Sequence, residues 1–194
     1  MKNLKQIILA SKSPRRKMLL ENLGVSFDVV ESNIDEKLNC VGSADKIAKE
    51  LALRKAKKVA ELHKSAIVIG ADTVVVSDEI LGKPECKDDA RKILRSLSGK
   101  SHEVITGLAL INKDNNKTVI AAAKTRVYFK YLTNEEIEKY LSHDEYKDKA
   151  GSYAIQGKAS LFIEKIEGDY NNVVGLPLFK LEQLLRENFN ITLI

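Results

Sequence analysis

Short unbroken apolar runs alternate along this chain with longer stretches whose apolar positions recur at helical spacing, a pattern that predicts a mixed α/β fold. Ile7-Ile8-Leu9-Ala10 reads as a strand, and Met18, Leu19, Leu20 and Leu23 as the stripe of a following helix that Gly24 ends as the C′ residue. Ser13 is the expected N-cap, its hydroxyl accepting from a backbone N–H, and Pro14 suits the first helical position. Phe27–Val30 predicts a second short strand, and Ser43 caps a helix to about Leu62 with Ile47, Ala48, Leu51, Ala52, Ala56 and Val59 inward. Lys55 lies four residues from both Leu51 and Val59, so it falls on that inward stripe. Residues 66–76 are apolar on both faces, as in a central strand, except for Asp72. Asp88 or Asp89 starts a helix through Leu97. Strands at about 102–111 and 118–129 flank the turn Lys113–Asn116. Thr133-Asn134-Glu135-Glu136 is a capping box, Ser160–Ile166 a further strand, and Pro177 opens the last helix.

Composition narrows the class. With 194 residues, 44% apolar and 30% charged, the chain fits one globular domain over 1–194 with a real core. A net charge of +5 suits an anionic small molecule and does not by itself indicate nucleic acid. Cys40 and Cys86 form no CxxC or zinc pattern, so a reducing cytoplasm is the expected location. The N-terminal apolar run is too short for a signal peptide or a membrane span.

The candidate chemistry begins at Ser11-Lys12-Ser13-Pro14-Arg15-Arg16, where three cations meet the start of a helix. The helix dipole disfavours cations there, so a bound phosphate or polyphosphate is the simplest reason for them; the alternative is a basic, solvated first turn. Glu31, Asp35 and Glu36 put three carboxylates in six residues, which suits a divalent cation such as Mg²⁺ or, equally, an acidic surface loop. Asp72 is costly to bury unpaired and reads either as bonded to a neighbouring turn or as a cleft carboxylate acting on water or metal. Lys83 stands beside a turn, either solvated or another phosphate contact. His63, His102 and His143 lack metal-ligand spacing and read as structural or surface residues. The phosphate-loop, dinucleotide, GxSxG and HExxH motifs are all missing. What remains fits metal-assisted attack of water on a phosphoanhydride.

The motifs LASKSPRR (Leu9–Arg16), SNIDE (Ser32–Glu36), Lys55-Ala56, GADTVV (Gly70–Val75) and GKP (Gly82–Pro84) occur in one order along the chain. LSGKSHEVITG (Leu97–Gly107), DKAGSYAIQG (Asp148–Gly157) and GDYNNVVGLP (Gly168–Pro177) continue it. Together they resemble the Maf family of nucleoside triphosphate pyrophosphatases over nearly the whole chain. The resemblance implies a mixed central sheet, parallel and antiparallel, flanked by helices in two lobes around a cleft (Maf/ITPase-like), and often a homodimer. It also implies hydrolysis of a nucleoside triphosphate to the monophosphate and pyrophosphate with Mg²⁺ or Mn²⁺. By position, Asp72 is the implied proton acceptor. Ser11, Ser13, Arg15, Arg16, Lys55 and Lys83 are the implied substrate contacts, Glu36 and Asp72 the metal contacts, and Arg15, Thr73 and Gln156 the specificity residues. SPRR with IQG resembles the dTTP and UTP branch rather than the 7-methyl-GTP branch. A Gln amide can match O4 and N3–H of uracil or thymine and mismatches cytosine. Cys86 and Tyr146 depart from the family pattern, where an acid and a proline are usual. The family is also associated with inhibition of septum formation, so a regulatory or nucleic-acid-binding protein is the alternative; the basic residues are not interleaved with aromatics along a groove as nucleic acid would require.

Overall fold

Alternation along β1 (Ile7–Ala10) sets the first layer: Ile7 and Leu9 face one side of the sheet, Ile8 and Ala10 the other, and all are buried. The structure is a computed structural model describing residues 6–35 and 42–194. Glu36 and Cys40 therefore lie outside the described residues. Beside β1 lie β2 (Asp28–Val29) and β3 (Ile67–Val76), both parallel to it. Beyond β3 come β5 (Ser101–Asn112), β6 (Lys117–Phe129) and β7 (Ile163–Glu167), each antiparallel to its neighbour, while β4 (Ile80–Leu81) pairs with the end of β3. The expected mixed sheet flanked by helices is what is found.

One face carries α1 (Pro14–Glu21) and α6 (Leu178–Phe189), whose Leu19, Leu20, Leu181, Leu185 and Phe189 pack on Leu9, Ile67, Ile69 and Leu108. The other face carries α2 (Ala44–Ala60), capped by the Ser43 hydroxyl accepting from the Lys46 N–H. Its Ala52 and Ala56 sit against Val68 and Ala109. A second core gathers α3 (Lys87–Leu97) and α4 (Asn134–Leu141) around Val75, Val104, Val127, Phe129, Tyr153 and Phe162. Both β3 and β5 pass from the first core into the second. Ala71 and Leu108 belong to one and Val75 and Val104 to the other, so Asp72, Thr73 and Thr106 fall at the boundary.

Several local expectations change. Ser13 occupies the N-cap position of α1, but its hydroxyl makes no capping bond; its N–H donates to Ser11 Oγ at 3.1 Å. Helix α1 ends at Glu21 with Asn22 as its cap, and Gly24 lies beyond it with φ 68°. Met18 is exposed, because the inward side of this short helix is taken by Arg16, Leu19 and Leu20. Helix α3 starts at Lys87 after Cys86, so Asp88 and Asp89 complement the dipole from inside the first turn. Residues Lys158–Phe162 form a 3₁₀ turn, and the strand begins only at Ile163. Tyr170–Val174, not expected from the pattern, is a short helix, α5, capped by Asp169. The Thr133 capping box is present.

Two glycines set how close α2 comes to the sheet. A Cβ on Gly70 would lie 2.2 Å from the Ala52 carbonyl oxygen, and one on Gly107 2.3 Å from the Ala48 carbonyl. Both neighbours are backbone, which cannot swing aside. Gly107→Ala is expected to push α2 off the sheet and cost roughly 2 kcal/mol or more, read as a lower midpoint in urea unfolding.

His102 is buried in the second core, with Phe129 and Tyr153 edge-on to its ring and Nε2 2.6 Å from the Tyr153 hydroxyl. Burial pushes its pKa down from 6.5 to about 4. The folded protein keeps His102 neutral where the unfolded chain protonates it, so stability is complete above the unfolded value and falls with pH between those two values. The expected loss reaches about 3 kcal/mol at the acid end, and His102→Gln should flatten that part of a stability–pH curve measured by denaturant titration.

Candidate active site

β1 covers residues Ile67–Gly70 of β3, and β4 covers Val75 and Val76. Between them, among the described residues, no strand pairs with that edge of residues 71–74. Strand alternation sends Asp72 toward α2 and Thr73 to the opposite face, so the two flank the gap. The loop after β1 wraps round the same opening and delivers the N-terminus of α1 to it. A cleft of about 720 Å³ results, placed beyond the carboxyl end of a parallel strand as in open α/β sheets.

The cleft brings together Ser11, Ser13, Arg15 and Arg16 from the opening motif with Lys55, Asp72, Thr73, Lys83 and Gln156. Every site residue that the family resemblance implies within the described part therefore lines one opening, whereas Glu31 of the acidic loop does not. Ser32 and Asp35 of the acidic loop line it too, whereas Glu36 is outside the described residues.

The cations are not alike. Lys55 is buried, as the helical spacing predicts, and its Nζ lies 2.6 Å from Asp72 Oδ1. Both side chains are almost fully out of solvent, at 9% and 12% exposure, so this is a buried ion pair held by the glycine-set approach of α2 to β3. Arg16 is also buried. Its Nε donates to the Gly175 carbonyl at 2.7 Å, Nη1 to Ser11 Oγ at 3.3 Å and Nη2 to Thr73 Oγ1 at 3.1 Å. Arg15 makes no hydrogen bond or ion pair among the described residues, and burial lowers its pKa. A guanidinium that is half-buried with its donors unassigned is suited to an incoming anion. Lys12 and Lys83 are exposed at the rim.

Lys149 was not singled out from the sequence, yet it lines the cleft with its Nζ donating to the Lys147 carbonyl at 3.1 Å. Burial first and the nearby Arg15 charge second lower its pKa. The signal was its place in the glycine-bracketed segment Asp148–Gly157. Tyr153 forms part of the wall, its hydroxyl bonded to His102.

The Maf-like protein family model matches residues 6–188. The chain belongs to the Maf family. Among curated Maf relatives it is 55% identical over 192 residues to the dTTP/UTP pyrophosphatase of Alkaliphilus oremlandii (strain OhILAs), covering 98% of this chain and 100% of that protein. It is 51% identical to the enzyme of the same name from Alkaliphilus metalliredigens (strain QYMF), with the same coverage. A dTTP/UTP pyrophosphatase of Bacillus cereus (strain ATCC 10987 / NRS 248) is 51% identical over 97% of this chain and 92% of that protein. Among solved structures, a HAM1 protein from Coxiella burnetii matches 65% of this chain and 73% of its own at a TM-score of 0.44 and 16% identity, a partial likeness on which nothing further rests. No helix among the described residues of this Maf chain is long and apolar enough to cross a membrane.

Removing one member of the Lys55–Asp72 pair strands a buried charge. Lys55→Met is expected to cost roughly 3–5 kcal/mol in denaturant unfolding, and adding Asp72→Asn should return a large part of it. Equal stabilities of the single and double variants would show that the charge is not stranded.

Proposed function

We propose that this Maf protein is a nucleoside triphosphate pyrophosphatase acting on dTTP and UTP, splitting the bond between the α- and β-phosphates. The observation that carries the reading is the cleft in which a buried carboxylate, Asp72, faces a set of cations at a helix start. Such a set neutralises a triphosphate, and the carboxylate supplies the proton acceptor that water needs. The names and near-complete coverage of the relatives support the same substrates.

Arg15, Lys12, Lys83 and Lys149 are placed to take the phosphates from the walls and rim. Ser11 and Arg16 hold each other and shape the floor beneath them. Lys55 holds Asp72 through Oδ1 and fixes its orientation, leaving Oδ2 to accept a proton from a water poised in line with the leaving pyrophosphate. Lys55 thus acts on the substrate through Asp72 more directly than through a phosphate. Gln156 at the wall offers an amide donor and acceptor that match the O4 and N3–H edge of uracil and thymine.

The donor set also fits a divalent cation of the kind that takes one or two protein carboxylates beside phosphate and water. Asp72 Oδ2 has no partner among the described residues, Asp35 lines the same cleft, and Glu36 follows it in sequence. Asp72 and Glu36 are the residues we assign to hold Mg²⁺ or Mn²⁺, which would add Lewis-acid stabilisation of phosphate charge.

A panel of nucleoside triphosphates with Mg²⁺ or Mn²⁺ tests the reading. Pyrophosphate release from dTTP and UTP is expected. Orthophosphate release alone, or turnover of 7-methyl-GTP in their place, would overturn it. Asp72→Asn should lower kcat by at least about 100-fold while UTP binding, measured by calorimetry, stays close to that of the unaltered protein.

A further inference from the structure

Thr73 does not stand alone at the wall of the cleft. Its Oγ1 lies 2.9 Å from Oγ1 of Thr106, which is fully buried on the neighbouring strand at the paired register position. Thr106 Oγ1 in turn is 2.9 Å from the backbone carbonyl of Asn172 on α5. A carbonyl can only accept, so the single hydroxyl proton of Thr106 goes to Asn172. Between the two threonines, Thr73 must then be the donor. Arg16 Nη2 donates to Thr73 Oγ1 at 3.1 Å, which agrees with that direction because a guanidinium can only donate.

The far end of the chain is fixed just as firmly. Asn172 is fully buried, its amide donating to the Val104 carbonyl and Thr125 Oγ1, both at 2.9 Å, and its Oδ1 accepting from the Thr106 N–H at 3.2 Å. Every polar atom of that side chain is used, so α5 cannot rotate its carbonyl away from Thr106 without stranding buried groups.

We propose that Thr106 and Asn172 are positioning residues that set the polarity of Thr73, fixing it as a hydrogen-bond acceptor toward the nucleotide. With its proton committed to Thr106 and one lone pair to Arg16, Thr73 has one lone pair left. The group it recognises is therefore a donor on the nucleoside, either the imide N–H of the base, in which case Gln156 keeps only its bond to O4, or a sugar hydroxyl. This rests on the nucleotide reading above and deepens it: Thr73 selects by an orientation imposed from β5 and α5, not by its own rotation.

Neutron diffraction of the deuterated protein tests the orientation whatever the protein hydrolyses. Deuterium on Thr73 directed at Thr106 Oγ1 is expected; deuterium directed into the cleft overturns the proposal. The functional arm compares kcat/KM for UTP, CTP and 2′,3′-dideoxy-UTP in wild type, Thr106→Val and Thr106→Ser. Thr106→Val frees the Thr73 hydroxyl to rotate, so about a tenfold loss of discrimination is expected, the weight of one neutral hydrogen bond. Loss of the UTP-over-CTP preference identifies the imide, and loss of the penalty on the dideoxy nucleotide identifies the sugar. Thr106→Ser should restore the wild-type ranking. A variant that loses rate on all three nucleotides alike, with ratios unchanged, would overturn the proposal by showing a merely structural role. Should Thr106→Val fail to fold, Thr73→Val, which removes the acceptor at the cleft wall itself, is expected to give the same loss of ranking, and an unchanged ranking there overturns it. Failure of the pyrophosphatase reading is separate: it shows as absent pyrophosphate in wild type, with the neutron result unaffected.

Discussion

The backbone of α2 rests on β3 and β5 with no room for a side chain at Gly70 or Gly107, and the Lys55–Asp72 half of the site depends on that contact. Gly107 is the register partner of Asp72, so the position that lets the helix come down lies directly across from the carboxylate. Ala48, Ala52 and Ala56 continue the small surface along the helix. Lys55 then reaches Asp72 over 2.6 Å, with both side chains nearly out of solvent. Two charges so nearly removed from water are tolerable only when each holds the other, which ties the helix position, the lysine and the aspartate into one unit.

The cations around the opening divide by what the fold has already done with them. Arg16 is spent on a carbonyl and two hydroxyls, and serves as a cross-brace between the opening motif, β3 and the segment after α5. Arg15, one residue earlier, keeps its donors for whatever enters. The pair looks redundant in sequence and is not, because successive residues of a helix point about 100° apart. Arg15 and Lys149 both line the cleft, and the Arg15 charge helps to lower the Lys149 pKa, a like-charge repulsion that an anion between them would relieve.

Much of this could be read from residue spacing. Inward Lys55 follows from its distance to Leu51 and Val59. The strand carrying Asp72 follows from its unbroken apolar run, and the gathering of the opening motif's cations at the cleft from their place at a helix start. The partners of Arg16 could not, since Thr73 and Gly175 are 57 and 159 residues away in sequence. Thr106 and Asn172 were silent for the same reason: they look like an ordinary strand threonine and a turn asparagine until the register places them side by side. Met18 and the 3₁₀ turn at Lys158–Phe162 show the opposite failure, where local apolar character suggested burial or a strand that packing did not use. Glu36 lies outside the described residues.

The strands β3, β5 and β6 run without interruption beneath both cores, and the cleft sits over the place where one core hands over to the other. No flexible linker separates the two halves in that sheet. Opening or closing the cleft by a large swing would mean breaking a hydrogen-bonded ladder, so its width is set largely by the twist of the sheet. A pocket built this way is preorganised. It receives its ligand with little ordering still to be done, and selectivity comes from groups already aimed rather than from a closing motion.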